Sequence, residues 1–180
     1  MSSTTPPTLP PSPEAPPADQ QFHRILFVCM GNICRSPTAE VVLRTRAARA
    51  GVGSRVAVAS AGTGSWHAGM PPDRRAVAHA AKRGYDLSTV RARQVTREDF
   101  VLFDWILAMD RGNLRELRPL RPTDARGHLG LFLDFAPHLG LQDVPDPYYG
   151  GATHFERVLD LIEQASDSLV AHLLARHKAA

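Results

Sequence analysis

Short apolar runs alternate with segments of helical periodicity along most of this chain. The apolar runs are typical of buried parallel strands, and they fall at 24–28, 55–62, 104–109 and 130–135. In the C-terminal segment the apolar positions recur at helical spacing, at Phe155, Val158, Leu159, Ile162, Ala165, Leu169 and Leu173. Strands alternating with helices predict the α/β class: a single domain with a four-stranded parallel twisted sheet flanked by helices.

Capping signals predict where the first helix begins. Ser36 is a favourable N-cap residue, and Pro37 fits the first helical position, which needs no N–H donor. Glu40 is then expected in the first turn, where the helix dipole favours an acidic side chain. The helix is expected to end before Gly51 and to return the chain to a second parallel strand, which makes a βαβ unit.

Two more helices are predicted before the long C-terminal one. Asp73 is expected to cap a helix that reaches about Lys82 and is closed by Gly84, and a short helix follows from Arg111. Glycine and proline mark the stretches 62–72 and 140–151 as loops. The carboxyl ends of parallel strands, where such loops meet, are the usual ligand sites of open α/β sheets.

Composition narrows the class of protein without identifying it. The 180 residues are 43% hydrophobic and 22% charged, which is ordinary for one globular domain. Lys and Arg number 21 against 18 for Asp and Glu, and the net charge of +3 is spread along the chain, so no nucleic-acid partner is expected. No run approaches the ~18 apolar residues of a membrane span, so no membrane association is expected. We expect a monomer or a weak homodimer.

The N-terminal stretch differs in composition from the rest. Residues 1–21 are rich in Pro, Ser and Thr and poor in apolar residues, so a disordered tail is expected there, followed by one domain at 22–178. The tail lacks the basic and apolar blocks of a signal peptide, and two cysteines cannot make a disulfide framework. Cytoplasmic localisation is the default expectation, with export by another route left open.

Both cysteines lie in the stretch "VCMGNICRSP", between the first strand and the first helix. A turn at the end of a strand and the start of a helix directs N–H groups and positive potential at an anion, and the planar guanidinium of Arg35 matches phosphate oxygens. The same field favours the thiolate of Cys29, which is then placed for in-line attack on phosphorus with a cysteinyl-phosphate intermediate. Ser36 can hydrogen-bond the sulfur and ease its departure.

The residues between Cys29 and Arg35 are predicted to form the phosphate cradle itself. Gly31 and Asn32 tolerate the backbone angles that a tight loop needs, and the loop is completed by Met30, Ile33 and Cys34. A zinc site is disfavoured because C-x4-C has no second pair of ligands in the chain. We expect neither a metal nor a cofactor.

A general acid is needed if an aryl ester is cleaved, because the phenolate that leaves has a conjugate acid with a pKa of about 10. Asp146, within "PDPYYGG" at 145–151, offers a carboxyl group held in an extended conformation by Pro147. Tyr148 and Tyr149 beside it are able to form the wall of a slot for an aromatic ring.

Together these residues resemble the low-molecular-weight protein tyrosine phosphatases from about 24 to 174. The likeness is carried by "VCMGNICRSPTAE", "SAGTGSWHAGMPPD", "ARQVTREDF", "ILAMDRGNL" and "DPYYGG" followed by "FERVLDLIE". The resemblance implies metal-free hydrolysis of phosphotyrosine in protein substrates, with Cys29 as nucleophile, Arg35 as phosphate-binding arginine and Asp146 as general acid and then base.

The resemblance also implies supporting roles. Trp66 and Tyr148 match aromatic walls of the substrate cleft, and Ser60 matches a serine that supports Asn32 of the cradle. Asp110, within "ILAMDRGNL", is expected to be a second supporting residue. The sequence departs from the family pattern at Arg83, where a histidine is often found.

Two related activities use the same cradle. An arsenate reductase needs further cysteines to relay a disulfide, and this chain has none outside the cradle. A protein-arginine phosphatase typically carries threonine where Ile33 stands, so Ile33 and the paired tyrosines favour an aryl substrate. Cys34 is left with two possible roles: it packs under the cradle, or it captures an oxidised Cys29 as a protective disulfide.

Overall fold

A four-stranded parallel sheet forms the middle layer of the protein. The computed structural model describes residues 22–178, so the tail for which disorder was expected, 1–21, lies outside the described residues. The strands are β1 (His23–Cys29), β2 (Val56–Gly62), β3 (Trp105–Ala108) and β4 (His128–Leu131), paired in the order β2-β1-β3-β4. All pairs are parallel, which confirms the predicted fold class.

Five helices connect or flank these strands within the described part of the chain. They are α1 (Arg35–Arg49), α2 (Arg74–Lys82), α3 (Asp99–Leu102), α4 (Arg111–Leu117) and α5 (Ala152–Lys178). Short 3-10 turns at 53–55, 118–120, 132–135 and 137–139 complete the connections. None of the helices in residues 22–178 has the length and apolar character that a membrane span requires.

The central strand β1 is buried on both faces, as parallel strands between two helical layers are. Ile25, Phe27 and Cys29 face the larger core beneath α1 and α5, while Leu26 and Val28 face the smaller core beneath α4. The predicted apolar stripe of α5 is confirmed, since its seven positions are all buried. This packing fixes the carboxyl end of β1, where the cradle begins.

Salt bridges join α2 to α5 on the surface of the larger core. Arg83 pairs with Glu156, Asp160 and Glu163 of α5, and His79 contacts Glu156 as well. We call these five residues the α2–α5 ion cluster. The cluster explains why an arginine is accommodated at position 83, because three carboxylates on successive turns of α5 surround its guanidinium.

Several predicted boundaries were wrong. The fourth strand ends at Leu131, and 132–135 form a 3-10 turn rather than the second half of a strand; α3 was not predicted at all. Helix α1 begins at Arg35 with Cys34 as its N-cap, so Ser36 is not the cap. Glu40 lies beyond the first turn, where its carboxylate accepts a hydrogen bond from Ser60 and pairs with Arg44. By contrast, Asp73 caps α2 as predicted by accepting from the N–H of Arg75.

Candidate active site

The cradle, residues Cys29–Arg35, closes at the carboxyl end of β1 and is held from the outside through its carbonyl groups. The carbonyls of Cys29, Met30 and Ile33 accept hydrogen bonds of 2.8 to 2.9 Å from the N–H groups of Thr63, Gly64 and Asp73. C=O and N–H point in opposite directions along a trans peptide. Outward carbonyls therefore turn the N–H edges toward the centre of the loop, as an anion site requires.

Gly62 allows the cradle to lie directly against β2. A Cβ atom at this position would come within 2.7 Å of the Met30 carbonyl oxygen and 3.1 Å of the Asn32 nitrogen. Both are backbone atoms of the cradle, so they cannot move aside without changing the loop. A side chain at position 62 would therefore displace the cradle.

Cys29 and Ser36 are buried together at the base of the cradle. The Cys29 Sγ lies 3.0 Å from the Ser36 Oγ, and the serine hydroxyl also donates to the carbonyl of Ala61 at 3.2 Å and accepts from Asn32 Nδ2. These contacts explain why Ser36 does not act as a helix cap, because its hydroxyl is turned toward the sulfur. A hydroxyl in this position can stabilise negative charge on the sulfur.

Of the two residues expected to tolerate unusual backbone angles, Asn32 adopts the left-handed conformation, with φ of 55°, whereas Gly31 does not. Its side chain spans the base of the loop: Nδ2 donates to Ser36 Oγ over 2.8 Å, and Oδ1 accepts from the backbone N–H of Arg93 over 3.0 Å. Ser60 does not fill the predicted role, because its hydroxyl donates to Glu40 Oε2 at 2.6 Å instead.

The segment that carries Arg93 was part of the resemblance but had no predicted role. Arg93 forms a two-bond salt bridge with the buried Asp99, with both contacts at 2.9 Å, and Asp99 also accepts from the N–H of Thr96. The N–H group that binds Asn32 is therefore held in place by an ion pair. The sequence signal was the stretch "ARQVTREDF", but its spacing does not reveal which backbone group reaches the cradle.

Arg35, the last residue of the cradle, is almost fully buried, with 2% of its side chain exposed. Its Nη1 donates to Asp110 Oδ2 at 2.6 Å and to the carbonyl of Val144 at 3.0 Å, and its Nη2 lies 3.2 Å from Asp146 Oδ2. Burial alone would lower the pKa of Arg35, but the negative charges of Cys29 and the two carboxylates outweigh it and raise the pKa. The guanidinium therefore stays charged, and the structure places Asp110 where it orients this group.

Asp146 stands at the rim of the site, with 43% of its side chain exposed. Its other carboxylate oxygen, Oδ1, accepts from the N–H of Tyr148. The structure thus brings Asp146 to the same guanidinium that serves the cradle. It also leaves the carboxyl group facing the cleft above the loop.

A cleft of about 410 Å³ opens above the cradle. It is lined by the predicted residues Cys29, Met30, Gly31, Ile33, Cys34, Arg35, Trp66, Asp146, Tyr148 and Tyr149. Trp66 and Tyr149 are largely exposed, so the apolar walls rise at the mouth of the cleft. One lining residue, His67, was missed, because an isolated histidine in a loop carries no sequence signal for a contact with the cradle.

Cys34 is buried at the floor of the cleft and is not equivalent to Cys29. Burial, together with the negative charges of Asp73, Cys29 and Asp146, raises the pKa of the Cys34 thiol well above its usual range. Cys34 therefore remains a thiol at neutral pH, which makes it a poor nucleophile compared with a thiolate.

Comparison with known proteins gives consistent matches along the described chain. A family model for the low molecular weight phosphotyrosine protein phosphatases matches residues 24–179. A low molecular weight protein-tyrosine-phosphatase of Streptomyces coelicolor is 47% identical over 152 residues, covering 83% of this chain and 92% of the relative. One from Bacillus subtilis is 40% identical over 149 residues, covering 83% and 94%. The crystal structure of a protein tyrosine phosphatase from Entamoeba histolytica matches with a TM-score of 0.81 at 38% identity, covering 85% and 97%.

Proposed function

Because the chain belongs to the low molecular weight phosphotyrosine protein phosphatase family, we propose that it hydrolyses phosphotyrosine in protein substrates through a cysteinyl-phosphate intermediate. The observation that carries the proposal is the buried pair of Cys29 and Arg35 at the two ends of one loop, with the Asp146 carboxylate 3.2 Å from the same guanidinium. This arrangement supplies an attacking sulfur, a fixed positive charge and a proton donor around one anion site.

In the first step the phosphate ester binds in the cradle. Its oxygens are held by the backbone N–H groups and by the guanidinium of Arg35. The Cys29 thiolate attacks phosphorus, an S–P bond forms and the P–O bond to the aryl group breaks. The phenolate that leaves is strongly basic, and Asp146 in its acid form donates a proton to the departing oxygen.

In the second step a water molecule takes the place of the leaving group. Asp146, now a carboxylate, accepts a proton from the water as its oxygen attacks phosphorus, and the S–P bond breaks to release inorganic phosphate. The sulfur leaves as a thiolate. The Ser36 hydroxyl, 3.0 Å from the Cys29 Sγ, stabilises that charge by turning its proton from the Ala61 carbonyl to the sulfur.

The cleft favours an aromatic leaving group. Trp66 and Tyr148 present apolar faces at its mouth, and Ile33 adds a further apolar group on the cradle side. A planar ring between such walls buries apolar surface on both faces. A phosphoguanidinium group would instead need polar partners, which Ile33 does not provide. The walls therefore support phosphotyrosine over phosphoarginine as the substrate.

The test is hydrolysis of an aryl phosphate by the wild type, Cys29→Ser and Asp146→Ala, with Asp167→Ala on the outer face of α5 as a control. We expect Cys29→Ser to abolish turnover, and Asp146→Ala to reduce kcat/KM by about 10² or more for an unsubstituted phenyl ester. Turnover that survives Cys29→Ser would contradict the mechanism. Faster hydrolysis of phosphoarginine peptides than of phosphotyrosine peptides would contradict the substrate assignment.

A further inference from the structure

Arg111 and Asp143 form an ion pair between the start of α4 and the loop that leads to Asp146. The Arg111 side chain donates to Asp143 Oδ2 from Nη2 at 2.9 Å and from Nε at 3.1 Å. The backbone N–H of Arg111 also donates to Asp143 Oδ1 at 2.9 Å. We call this arrangement the Arg111–Asp143 clip. Neither residue has a role in the site that the sequence predicts.

The clip joins the two chain segments that hold Arg35. Arg111 directly follows Asp110, which accepts from Arg35, and Asp143 directly precedes Val144, whose carbonyl also accepts from Arg35. The N–H of Val144 in turn donates to the carbonyl of Met109 at 2.8 Å. The clip therefore closes a ring of contacts that runs from α4 through the loop to the guanidinium and back.

Asp146 depends on this ring for its position. The acid segment, residues 143–146, carries the carboxyl group at one end and the clip at the other. The Asp146 side chain accepts hydrogen bonds from Arg35 at 3.2 Å and from the backbone N–H of Tyr148, two residues further along the chain. The side chain is 43% exposed and makes one ion pair within the described residues, with Arg35, so the backbone of the acid segment is the other restraint on its position.

We propose that Arg111 and Asp143 are positioning residues that set the place from which Asp146 delivers its proton. This inference rests on the proposed function, since it assigns the clip to the general-acid step of that reaction. It differs from a role in phosphate binding, because the clip contacts no residue of the cradle directly; it reaches Arg35 only through Asp110 and Val144.

The electrostatics of the pair agree with a formed contact. Hydrogen bonds from the Arg111 side chain and backbone lower the pKa of Asp143 against the opposing effect of partial burial. Asp143 is therefore ionised at neutral pH. Exposed ion pairs generally contribute little to stability, so removing the clip is not expected to unfold the protein.

The leaving-group dependence of kcat/KM distinguishes positioning from stability. This quantity covers the steps up to transfer of phosphate to Cys29, where the aryl group departs. A misplaced acid slows esters of weakly acidic phenols much more than esters of nitrophenols, whose anions leave without help. We therefore propose to measure kcat/KM for a series of substituted phenyl phosphates, together with inhibition by inorganic phosphate, in the wild type and in variants.

For Asp143→Ala we expect kcat/KM to fall about three- to tenfold for phenyl phosphate and less than about twofold for 4-nitrophenyl phosphate. Arg111→Met, which keeps the backbone N–H, is expected to show the same trend with a smaller loss. Phosphate inhibition should be unchanged in both variants. Asp167→Ala, which removes the exposed partner of Arg46 on α5, is the matched control and should leave the whole series unchanged.

Equal losses for all esters in Asp143→Ala, or no loss for any of them, would overturn the positioning role. So would a weakening of phosphate inhibition as large as the loss of kcat/KM, because it would assign the clip to the cradle. These outcomes differ from failure of the proposed function, which would appear in the wild type as absent hydrolysis or as hydrolysis that survives Cys29→Ser.

Discussion

Asn32 offers the most informative single perturbation of the cradle. Its residue type meets two separate demands: the backbone at φ of 55° and the side-chain bridge between Ser36 and the N–H of Arg93. Asn32→Gly keeps the backbone demand satisfied and removes the bridge. Asn32→Ala removes the bridge and also places a Cβ in the left-handed region. The pair of variants therefore separates the two contributions.

Loss of the bridge leaves the partly buried N–H of Arg93 without its acceptor, which costs about 1–3 kcal/mol. Glycine adds about 0.4–1 kcal/mol through the flexibility of the unfolded chain. Alanine avoids that cost but adds about 1–2 kcal/mol of steric strain in the left-handed conformation. We therefore expect Asn32→Ala to be less stable than Asn32→Gly by about 0.5–1 kcal/mol, and both to be less stable than the wild type.

Thermal unfolding followed by circular dichroism measures these differences. For a domain of this size each kcal/mol corresponds to roughly 2–4 °C in Tm, so both variants should remain folded at 25 °C with clearly lower Tm. Inhibition by inorganic phosphate should weaken in both, because the loop loses its inner support. If the Tm of Asn32→Ala equals that of the wild type, or exceeds that of Asn32→Gly, position 32 carries no steric strain in the left-handed conformation.

Three further predictions concern contacts away from the cradle bridge. Ser60→Ala should lower Tm while leaving phosphate inhibition within about twofold of the wild type, since the hydroxyl donates to Glu40 rather than to the cradle; a large loss of phosphate binding would contradict this. Burial opposes ionisation of Glu163, but hydrogen bonds from Tyr85, Arg83 and Arg46 outweigh it and lower the pKa of this carboxyl group. The ionised Glu163 therefore stabilises the folded protein above the ordinary glutamate pKa, and this stabilisation is lost as the pH falls through the pKa of the folded state. The free energy of unfolding of Glu163→Gln should accordingly fall less steeply than that of the wild type below about pH 5, measured by urea titration, and identical slopes would contradict the assignment. Finally, although burial keeps Cys34 protonated, its place in the same loop as Cys29 allows its thiol to condense with a sulfenic acid on Cys29 to a disulfide and water. Cys34→Ala treated with peroxide and then a thiol reductant should therefore recover less activity than the wild type; equal recovery would leave Cys34 with a packing role alone.

Local sequence patterns were sufficient for most of the fold. The seven apolar positions of α5 are all buried, and the strands β1 and β2 begin and end within a residue or two of the predicted limits. The prediction was wrong for the fourth strand, where 132–135 leave the sheet after Leu131. An apolar run does not distinguish a strand from a buried turn, because both place the same side chains in the core.

The residues proposed to be catalytic could also be named from the sequence, since Cys29 and Arg35 belong to one contiguous loop and Asp146 to a distinctive Asp-Pro segment. The contacts that hold these residues in place could not be predicted. The Ser60 hydroxyl donates a hydrogen bond to Glu40, while the Asn32 side chain accepts one from the N–H of Arg93. Which of several polar groups reaches a given partner depends on distances between segments far apart in the chain, and single-sequence patterns carry no information about those distances.

The strand–loop–helix unit that forms the cradle follows from the sequence alone, because an apolar strand and the residue types of a tight anion-binding turn are properties of neighbouring residues. The surroundings of that unit depend on how distant segments pack. The order β2-β1-β3-β4 brings the loops after β2 and β3 to either side of the cradle, and the loop before α5 brings Asp143 to Arg111 and Asp146 to Arg35. These contacts join residues whose separation in the chain is large, so they exist only once the sheet and its helices have packed.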